Sequence, residues 1–219
     1  MTSRSPRISI LDHGLGNVFS IAKAFEAYQA STLRPTINVT TSRSDLMKAD
    51  LIVLPGVGSF SKCVANIKKM RLFDILTDLA LIHRTPVVGI CLGMQLLFEQ
   101  SDEGGKNEGL GWIAGHVSKI QNTPPLKLPH IGWNIVSSKE KPFSQFLDEK
   151  HFYFLHSYQV NCHEDHVICS TDYGERLPAA VAMDNILGFQ FHPEKSGCHG
   201  QNLIAETVNW ALRRREGIS

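Results

Sequence analysis

The sequence lacks a surplus of either charge. Its 219 residues include 22 lysines and arginines and 21 aspartates and glutamates, a formal net charge of +1. A chain so close to neutral has no strong electrostatic attraction to nucleic acid or to an anionic membrane surface. It has no apolar run near the roughly 20 residues that a membrane helix requires, and the apolar stretch near its start is too short for a secretory signal. We therefore expect a cytoplasmic protein that binds neither nucleic acid nor membranes.

A disulfide pattern is also lacking. The five cysteines, at positions 63, 91, 162, 169 and 198, are odd in number, which is typical of free thiols in a reducing compartment. The segment C-H-E-D-H-V-I-C (162–169) holds two cysteines and two histidines. Structural zinc sites usually separate such close pairs by a long span, and a hairpin turn is expected here. We predict no metal and at least one thiol that is free to react.

Repeats, low-complexity segments and long linkers are absent, which indicates one domain over residues 1–219, with 1–6 as a flexible extension. Short apolar strands alternate with helices in the first half, an order that predicts parallel strands with helices on both faces of the sheet. The predicted strands of this half are 7–11, 37–40, 51–54 and 87–90, and the predicted helices are 18–28, parts of 61–82, and 92–100.

The second half has a different pattern, in which short β-prone runs are separated by turn residues. It predicts hairpins that extend the parallel sheet, followed by an amphipathic helix over 201–214. We therefore expect a three-layer α/β domain with a mixed sheet. The β-prone runs are 133–137, 152–155, 167–170 and 186–191.

The sharpest local signal is the segment V-V-G-I-C-L-G-M-Q-L-L-F-E (87–99). Cys91 lies between a buried strand and a helix, with Gly89 and Gly93 two residues to either side. This is the nucleophile-elbow pattern G-x-S-x-G with sulfur in place of oxygen, and it makes the backbone N–H of Leu92 a candidate oxyanion donor. The alternative is that Cys91 is a small buried side chain between packing glycines.

A histidine and a carboxylate follow about 100 residues later, in G-F-Q-F-H-P-E-K-S-G (188–197). Pro193 favours an extended conformation at His192, and residues two apart on an extended segment point the same way. His192 and Glu194 can therefore lie side by side, as a general base and its orienting carboxylate do. A plain turn after a strand is the alternative interpretation of H-P-E.

Together these motifs resemble a known family. G-I-C-L-G-M-Q, the upstream L-P-G-V-G (54–58) and H-P-E resemble the class I, triad-type glutamine amidotransferases. More narrowly, L-P-H-I-G-W-N (128–134), F-Y-F-L-H-S-Y (152–158) and the H-P-E segment resemble the glutaminase subunits of imidazole glycerol phosphate synthases. The likeness runs from about Ile8 to the last helix. It implies a three-layer αβα, flavodoxin-like amidotransferase domain with a mixed central sheet and added β-hairpins.

The resemblance implies a reaction and a site. Glutamine would be hydrolysed to glutamate and ammonia through a thioester on Cys91, with His192 as the base and Glu194 as its orienting partner. No cofactor is implied. The residues implied at the oxyanion hole are Leu92, Val57 and Gly58, and those implied to bind glutamine are Gln95, Glu103, Ser157 and Tyr158.

The resemblance also implies a partner. A cyclase-type (β/α)8 barrel subunit would form a heterodimer with this chain and use its ammonia to make imidazole glycerol phosphate and an aminoimidazole carboxamide ribotide. Asn17, Trp133, Tyr153 and Lys195 match positions at that interface, although Trp133 and Tyr153 could equally be core aromatics.

Three other interpretations remain open from the sequence. A paralogous glutaminase could supply a different synthase, for example one that amidates a surface sugar. A cysteine peptidase or stress-response hydrolase of the same architecture would lack Gln95 and the H-P-E pair. A non-catalytic binding module would have no reason to keep Cys91, His192 and Glu194.

Overall fold

The computed structural model describes residues 4–28, 34–121, 125–138 and 143–215. These ranges contain thirteen strands and seven α-helices. The strands are β1 (Arg7–Leu11), β2 (Thr36–Thr40), β3 (Leu51–Leu54), β4 (Val87–Ile90), β5 (Phe98–Ser101), β6 (Asn107–Glu108), β7 (Ile113–Lys119), β8 (His130–Ser138), β9 (Lys150–His156), β10 (Tyr158–Cys162), β11 (Val167–Asp172), β12 (Arg176–Met183) and β13 (Ile186–Phe189). The helices are α1 (Val18–Glu26), α2 (Arg43–Met47), α3 (Phe60–Lys69), α4 (Phe73–Thr77), α5 (Leu92–Gln95), α6 (Ser144–Leu147) and α7 (Gly197–Arg215).

The main sheet has nine strands in the order β2-β1-β3-β4-β13-β12-β11-β8-β9. The pairs from β2 to β13 are parallel, and those from β13 through β12, β11 and β8 to β9 are antiparallel. Helices α1 and α7 pack on one face, while α3 and α4 pack on the other. The expected three-layer arrangement with a mixed sheet is therefore confirmed.

The end of the helix predicted over 92–100 is wrong. Helix α5 stops at Gln95, and Phe98 begins strand β5. The run from Leu92 to Phe98 is buried throughout, so its apolar pattern fits a buried helix or a buried strand equally well. The segment from Phe98 is a strand because it pairs with β6 and β7. Together with β10 these strands form a second, four-stranded sheet of order β10-β7-β5-β6, which the sequence did not predict.

The start of the described chain is anchored to the sheet. The guanidinium of Arg4 donates to both carboxylate oxygens of Asp50, at 2.9 and 2.6 Å, and the carbonyl of Pro6 accepts from the N–H of Thr36. Contacts therefore hold this part of the expected flexible extension 1–6, of which residues 1–3 lie outside the described ranges. No described helix is long and apolar enough to cross a membrane.

Candidate active site

Two neighbouring parallel strands bring the chemistry-bearing residues together. Strands β4 and β13 pair with Ile90 opposite Phe189, and the N–H of Cys91 donates to the carbonyl of Phe189 at 2.7 Å. Cys91 directly follows β4, and His192 lies three residues after β13 ends. The carboxyl ends of parallel strands are where open α/β sheets hold ligands, so residues distant in sequence meet at one edge of the sheet.

The turn at Cys91 is strained, as the nucleophile-elbow pattern predicts. Its φ of 54° and ψ of −108° are rare for a residue with a side chain. The turn also requires close backbone approaches. A Cβ on Gly93 would lie 1.8 Å from the carbonyl oxygen of Leu54, and one on Gly89 would lie 2.4 Å from that of Gly93. The two glycines therefore let β3, β4 and α5 meet at this point.

His192 and Glu194 form a buried pair. Nδ1 of His192 lies 2.7 Å from Oε1 of Glu194, and their side chains are only 2% and 4% exposed. Glu194 belongs to a short 3₁₀ turn, Pro193–Lys195. The contact orients the imidazole and stabilises its protonated form.

With Nδ1 of His192 held by Glu194, the other ring nitrogen, Nε2, is left to interact with the thiol. Nε2 is buried and has no hydrogen-bond partner in the described part of the chain. Burial lowers the pKa of His192, but Cys91 and Glu194 outweigh it and raise the pKa to about 9. Cys91 is thus close enough to influence His192, although no described hydrogen bond joins the two side chains.

A cavity of about 230 Å³ opens above Cys91. It brings together all the residues that the resemblance implies for the oxyanion hole and for glutamine binding, whereas His192 and Glu194 are not among its lining residues. Three further residues, Pro129, Leu155 and His156, complete the lining. The predicted members are Val57, Gly58, Cys91, Leu92, Gln95, Glu103, Ser157 and Tyr158.

The candidate oxyanion donors lie side by side in this cavity. Leu92 is the first residue of α5, where an N–H has no partner within its helix. The loop after β3 packs directly on this residue, since a Cβ on Gly56 would lie 2.5 Å from Cβ of Leu92. The same loop carries Val57 and Gly58 to the cavity.

Glu103 has a structural contact that the sequence did not predict. Its Oε2 accepts from the backbone N–H of Phe60 at 2.9 Å, and Phe60 is the first residue of α3. A carboxylate is favourable at a helix N-terminus because it meets unpaired N–H groups and the positive end of the helix dipole. The contact fixes Glu103 at the cavity.

His13 holds the loop that carries the candidate oxyanion donors. It is fully buried, and its Nε2 donates to the carbonyl of Pro55 at 2.8 Å. The carbonyl of His13 in turn accepts from the side chain of Asn66. No sequence signal separates His13 from a surface histidine, because the contact joins residues 42 positions apart.

Two other buried histidines form a directed chain of hydrogen bonds behind the cavity. Nδ1 of His156 lies 2.9 Å from the carbonyl of Tyr158, which can only accept, so Nδ1 carries the proton. Nε2 of His156 therefore accepts from Nδ1 of His130, at 2.9 Å. Burial lowers the pKa of His130 to about 4 and that of His156 to about 3, so both rings are neutral at pH 7.

Gln190 is a buried residue near the thiol that the sequence motifs did not single out. Its Nε2 lies 3.7 Å from Sγ of Cys91, and its Oε1 accepts from Nε2 of Gln95 at 3.0 Å. Gln190 precedes His192 by two residues, so the period of an extended strand could have placed it on the same face.

Three of the four residues matched to a partner interface lie together. Trp133 is 57% exposed, so it is not a core residue, and it makes an edge contact with half-buried Tyr153 at 6.2 Å. Nζ of Lys195 lies 5.7 Å from the Tyr153 ring centre. Ile131 and Ile135, on the same face of β8 as Trp133, are 57% and 43% exposed. We call Ile131, Trp133, Ile135, Tyr153 and Lys195 the β8 patch.

Asn17 has a role at the start of α1. Its side-chain oxygen accepts from the N–H of Ser20 at 3.2 Å, which makes it the N-cap of the helix. No described hydrogen bond, ion pair or ring contact joins Asn17 to the β8 patch.

The described ranges contain no group of three or more His, Cys, Asp or Glu side chains that could hold a metal ion.

Comparison with known proteins gives consistent results. Residues 9–209 match the family described as glutamine amidotransferase class-I. The chain is 40% identical to imidazole glycerol phosphate synthase subunit HisH 2 of Vibrio vulnificus, over 97% of this chain and 99% of that one. It is also 40% identical to subunit HisH of Methanocaldococcus jannaschii, over 92% and 98%.

Solved structures resemble the fold at low sequence identity. A crystal structure of a glutamine amidotransferase has a TM-score of 0.70 and 15% identity, and the alignment covers 92% of this chain and 98% of that one. The glutaminase domain of Trypanosoma brucei CTPS has a TM-score of 0.67 and 20% identity, covering 98% and 95%. These two similarities support the fold and nothing finer.

Proposed function

Because the chain belongs to the class-I glutamine amidotransferases, among the glutaminase subunits of imidazole glycerol phosphate synthase, we propose that Cys91 hydrolyses L-glutamine and that the ammonia passes to a cyclase subunit. The observation that carries this proposal is the cavity of about 230 Å³ above Cys91, with the His192–Glu194 pair buried beside the thiol. The proposal treats residues 1–219 as one glutaminase domain without a cofactor.

The proposed reaction follows from the positions of three side chains. His192 takes the thiol proton through Nε2, and Sγ of Cys91 attacks the side-chain amide carbon of glutamine. His192 then protonates the departing nitrogen, which leaves as ammonia, and a γ-glutamyl thioester remains. Water activated by the same imidazole releases glutamate and restores the thiol. Glu194 keeps Nε2 directed at the sulfur throughout, because it holds Nδ1 at 2.7 Å.

Both steps pass through an oxyanion that needs two hydrogen-bond donors. The N–H of Leu92 is the first, and a backbone N–H of Val57 or Gly58 is the second. Their common position at the cavity supports these assignments. For substrate binding we assign Gln95, Glu103, Ser157 and Tyr158, with the Glu103 carboxylate opposite the substrate ammonium.

The partner we propose is a cyclase-type (β/α)8 barrel, which adds the ammonia nitrogen to a phosphoribulosyl nucleotide. Ammonia released into water at neutral pH would be protonated and lost as a nucleophile, so the two sites must communicate without passing through bulk water. The β8 patch supports a protein partner, because an exposed tryptophan flanked by two exposed isoleucines is typical of a binding surface. Asn17 is proposed at the rim of this interface.

The proposal is tested by measuring glutamate release from glutamine, with and without the cyclase subunit and its nucleotide ligand. We expect the cyclase to stimulate the wild-type chain, and Cys91→Ala to abolish glutamate release in both conditions. Cys198→Ala is the matched control, because Cys198 is an exposed thiol on α7. Activity that survives Cys91→Ala would contradict the mechanism. Stimulation by another synthase instead of the cyclase would favour a paralogous pathway.

A further inference from the structure

The fully buried side chain of Gln190 makes polar contacts that the proposed mechanism does not use. Gln190 is 0% exposed, and its backbone N–H donates to the carbonyl of Ala179 at 2.9 Å, which fixes it beside the end of β13. Its carboxamide lies between Cys91 and Gln95. A buried amide costs free energy unless both its donor and its acceptor are used, so these contacts define which way it points.

The orientation of the Gln190 carboxamide follows from a fixed acceptor. The carbonyl oxygen of Tyr158 can only accept, and the Gln95 atom at 3.1 Å from it is therefore the NH₂ nitrogen. The same Nε2 lies 3.0 Å from Gln190, whose contacting atom must then be the oxygen Oε1. The remaining amide atom of Gln190 is the nitrogen, and it is directed at Sγ of Cys91, 3.7 Å away.

We propose that Gln190 is a further catalytic residue, whose Nε2–H donates a hydrogen bond to Sγ of Cys91 and stabilises the thiolate. The proposal rests on the proposed function, in which Cys91 is the nucleophile. The described hydrogen bonds of Sγ are two, one with Gln190 and one with the carbonyl of Leu155 at 3.7 Å. That carbonyl can accept only from a protonated thiol, so of these two partners Gln190 is the one that favours the ionised sulfur, through a charge-assisted hydrogen bond.

This assignment separates the roles of the two glutamines. Gln95 uses its NH₂ group on Tyr158 and Gln190, so its own carbonyl oxygen is left for a donor on the substrate. Gln190 lines none of the cavity and acts on the sulfur. Loss of Gln95 should therefore raise KM for glutamine, whereas loss of Gln190 should lower kcat and the reactivity of the thiol.

The test is the rate at which iodoacetamide alkylates Cys91, a substitution in which sulfur displaces iodide. The rate is followed by mass spectrometry of the peptide that contains Cys91, at pH 7.5 without glutamine. We expect Gln190→Met to react about tenfold more slowly than wild type, the effect of one hydrogen bond to a charged group, and kcat to fall in parallel. Gln95→Met removes the donor that holds Oε1 of Gln190 but leaves the Gln190 carboxamide in place, so it should slow alkylation less than Gln190→Met does. The control Gln100→Met alters an exposed glutamine on β5 and should change neither quantity.

The other cysteines report whether each variant is folded. Exposed Cys198 should be alkylated equally in all variants, while buried Cys63 and Cys169 stay protected in a folded chain. If Gln190→Met exposes Cys63 and Cys169, the variant Gln190→Glu is used instead. The glutamate side chain keeps an acceptor for Gln95, and its ionised form repels a thiolate. We therefore expect Cys91 to react more slowly in this variant as well. Wild-type alkylation rates in a folded Gln190 variant would overturn the proposal, as would equal slowing in Gln95→Met. A wild-type chain that releases no glutamate even with the cyclase subunit and its nucleotide ligand would instead overturn the proposed function and leave the alkylation rates interpretable.

Discussion

The paired rings of His130 and His156 occupy a position where a charge cannot be tolerated. Both are nearly inaccessible, and His130 stacks between Phe154 and Tyr173, with ring centres 4.7 and 4.0 Å away. A proton added to Nε2 of His156 would face the Nδ1–H of His130 and break the donor-to-acceptor order that ends at the carbonyl of Tyr158, and burial disfavours a charge on either ring. The neutral pair thereby holds the segment that lines the candidate glutamine pocket.

The pH dependence of stability follows from this pair. The pKa of each ring is lowered, to about 4 for His130 and about 3 for His156, so the unfolded chain binds more protons below its own pKa near 6.5. Their contribution to stability is therefore complete above pH 6.5. Below that pH it decreases by roughly 1.4 kcal/mol per pH unit for each histidine, until the pH has fallen through 4 for His130 and through 3 for His156. We expect urea unfolding to show a steep loss of stability from pH 7 to pH 5.

His156→Gln should flatten this dependence, because one of the two titrating rings is removed. His83→Gln, at an exposed surface histidine, is the control and should leave the dependence as it is. If the free energy of unfolding of His156→Gln falls with pH as steeply as that of the wild type, the lowered pKa assigned to His156 is wrong. The sign is opposite for His192, whose pKa is raised to about 9: its contribution is present below pH 6.5 and is lost as the pH rises through 9.

Among individual residues, the sequence predicts the roles of those that belong to short motifs. Cys91 stands out because its glycines lie two positions away, and His192 and Glu194 because Pro193 sets their spacing. His13 and the cap formed by Glu103 could not be predicted, since their partners, Pro55 and Phe60, are more than 40 positions away. Such contacts depend on the sheet order, which the local pattern leaves undetermined.

The elements around the elbow are joined by backbone contacts rather than by side chains. Strand β3, strand β4 and helix α5 meet where a Cβ at Gly93 would lie 1.8 Å from the carbonyl of Leu54. That atom belongs to a strand inside the sheet, paired with β1 on one side and β4 on the other, so it cannot move aside as the end of a flexible side chain could. The position of the Cys91 turn therefore depends on residue 93 being a glycine, which has no side chain.

Gly93→Ala should displace α5 from β3 and shift the thiol relative to His192. A misplacement near 1 Å costs about 100-fold in rate, and overpacking costs about 1–3 kcal/mol in stability. Steady-state glutamate release and thermal unfolding measure the two effects. Gly111→Asn is the control, because that glycine has φ 66° and a Cβ added to it would have no neighbouring atom within 4 Å, and asparagine tolerates left-handed backbone. Normal activity in Gly93→Ala would contradict the packing argument.

Element boundaries were predictable where a strand or helix is isolated by turn residues. Strands β1, β3 and β4 begin and end where the sequence predicts. The prediction failed after Gln95, where the apolar run continues from helix into strand without a glycine or proline to separate them. Strand β5 exists because a second sheet offers it partners, and that sheet involves β10, which is distant in the chain.

Seen as a whole molecule, the chain presents the β8 patch at the edge of the main sheet, where β8 and β9 are the last two strands. Within β8, Ile131, Trp133 and Ile135 alternate with less exposed residues. A protein with no partner gains nothing from three large apolar side chains in a row on one face. The arrangement fits the heterodimer proposed above.

Trp133→Ala should weaken binding to the cyclase about 30-fold, because a central tryptophan commonly contributes about 2 kcal/mol or more to an interface. Its effect on the free energy of unfolding of the isolated chain should stay within about 0.5 kcal/mol, since the ring is mostly exposed. Isothermal titration calorimetry measures the first and urea unfolding the second. Ile82→Ala, at a residue 74% exposed outside the patch, is the control. Unchanged affinity would exclude Trp133 from the interface.

The central place of β13 has a consequence for the newly made chain. Ribosomes complete Cys91 about 100 residues before His192, and until β13 inserts between β4 and β12 the thiol has neither its base nor Gln190. The strand that completes the sheet is thus the one that completes the proposed catalytic group. If Cys91 and His192 act as proposed, glutamine hydrolysis requires β13 to be in place, and we expect a chain that ends before β13 to release no ammonia.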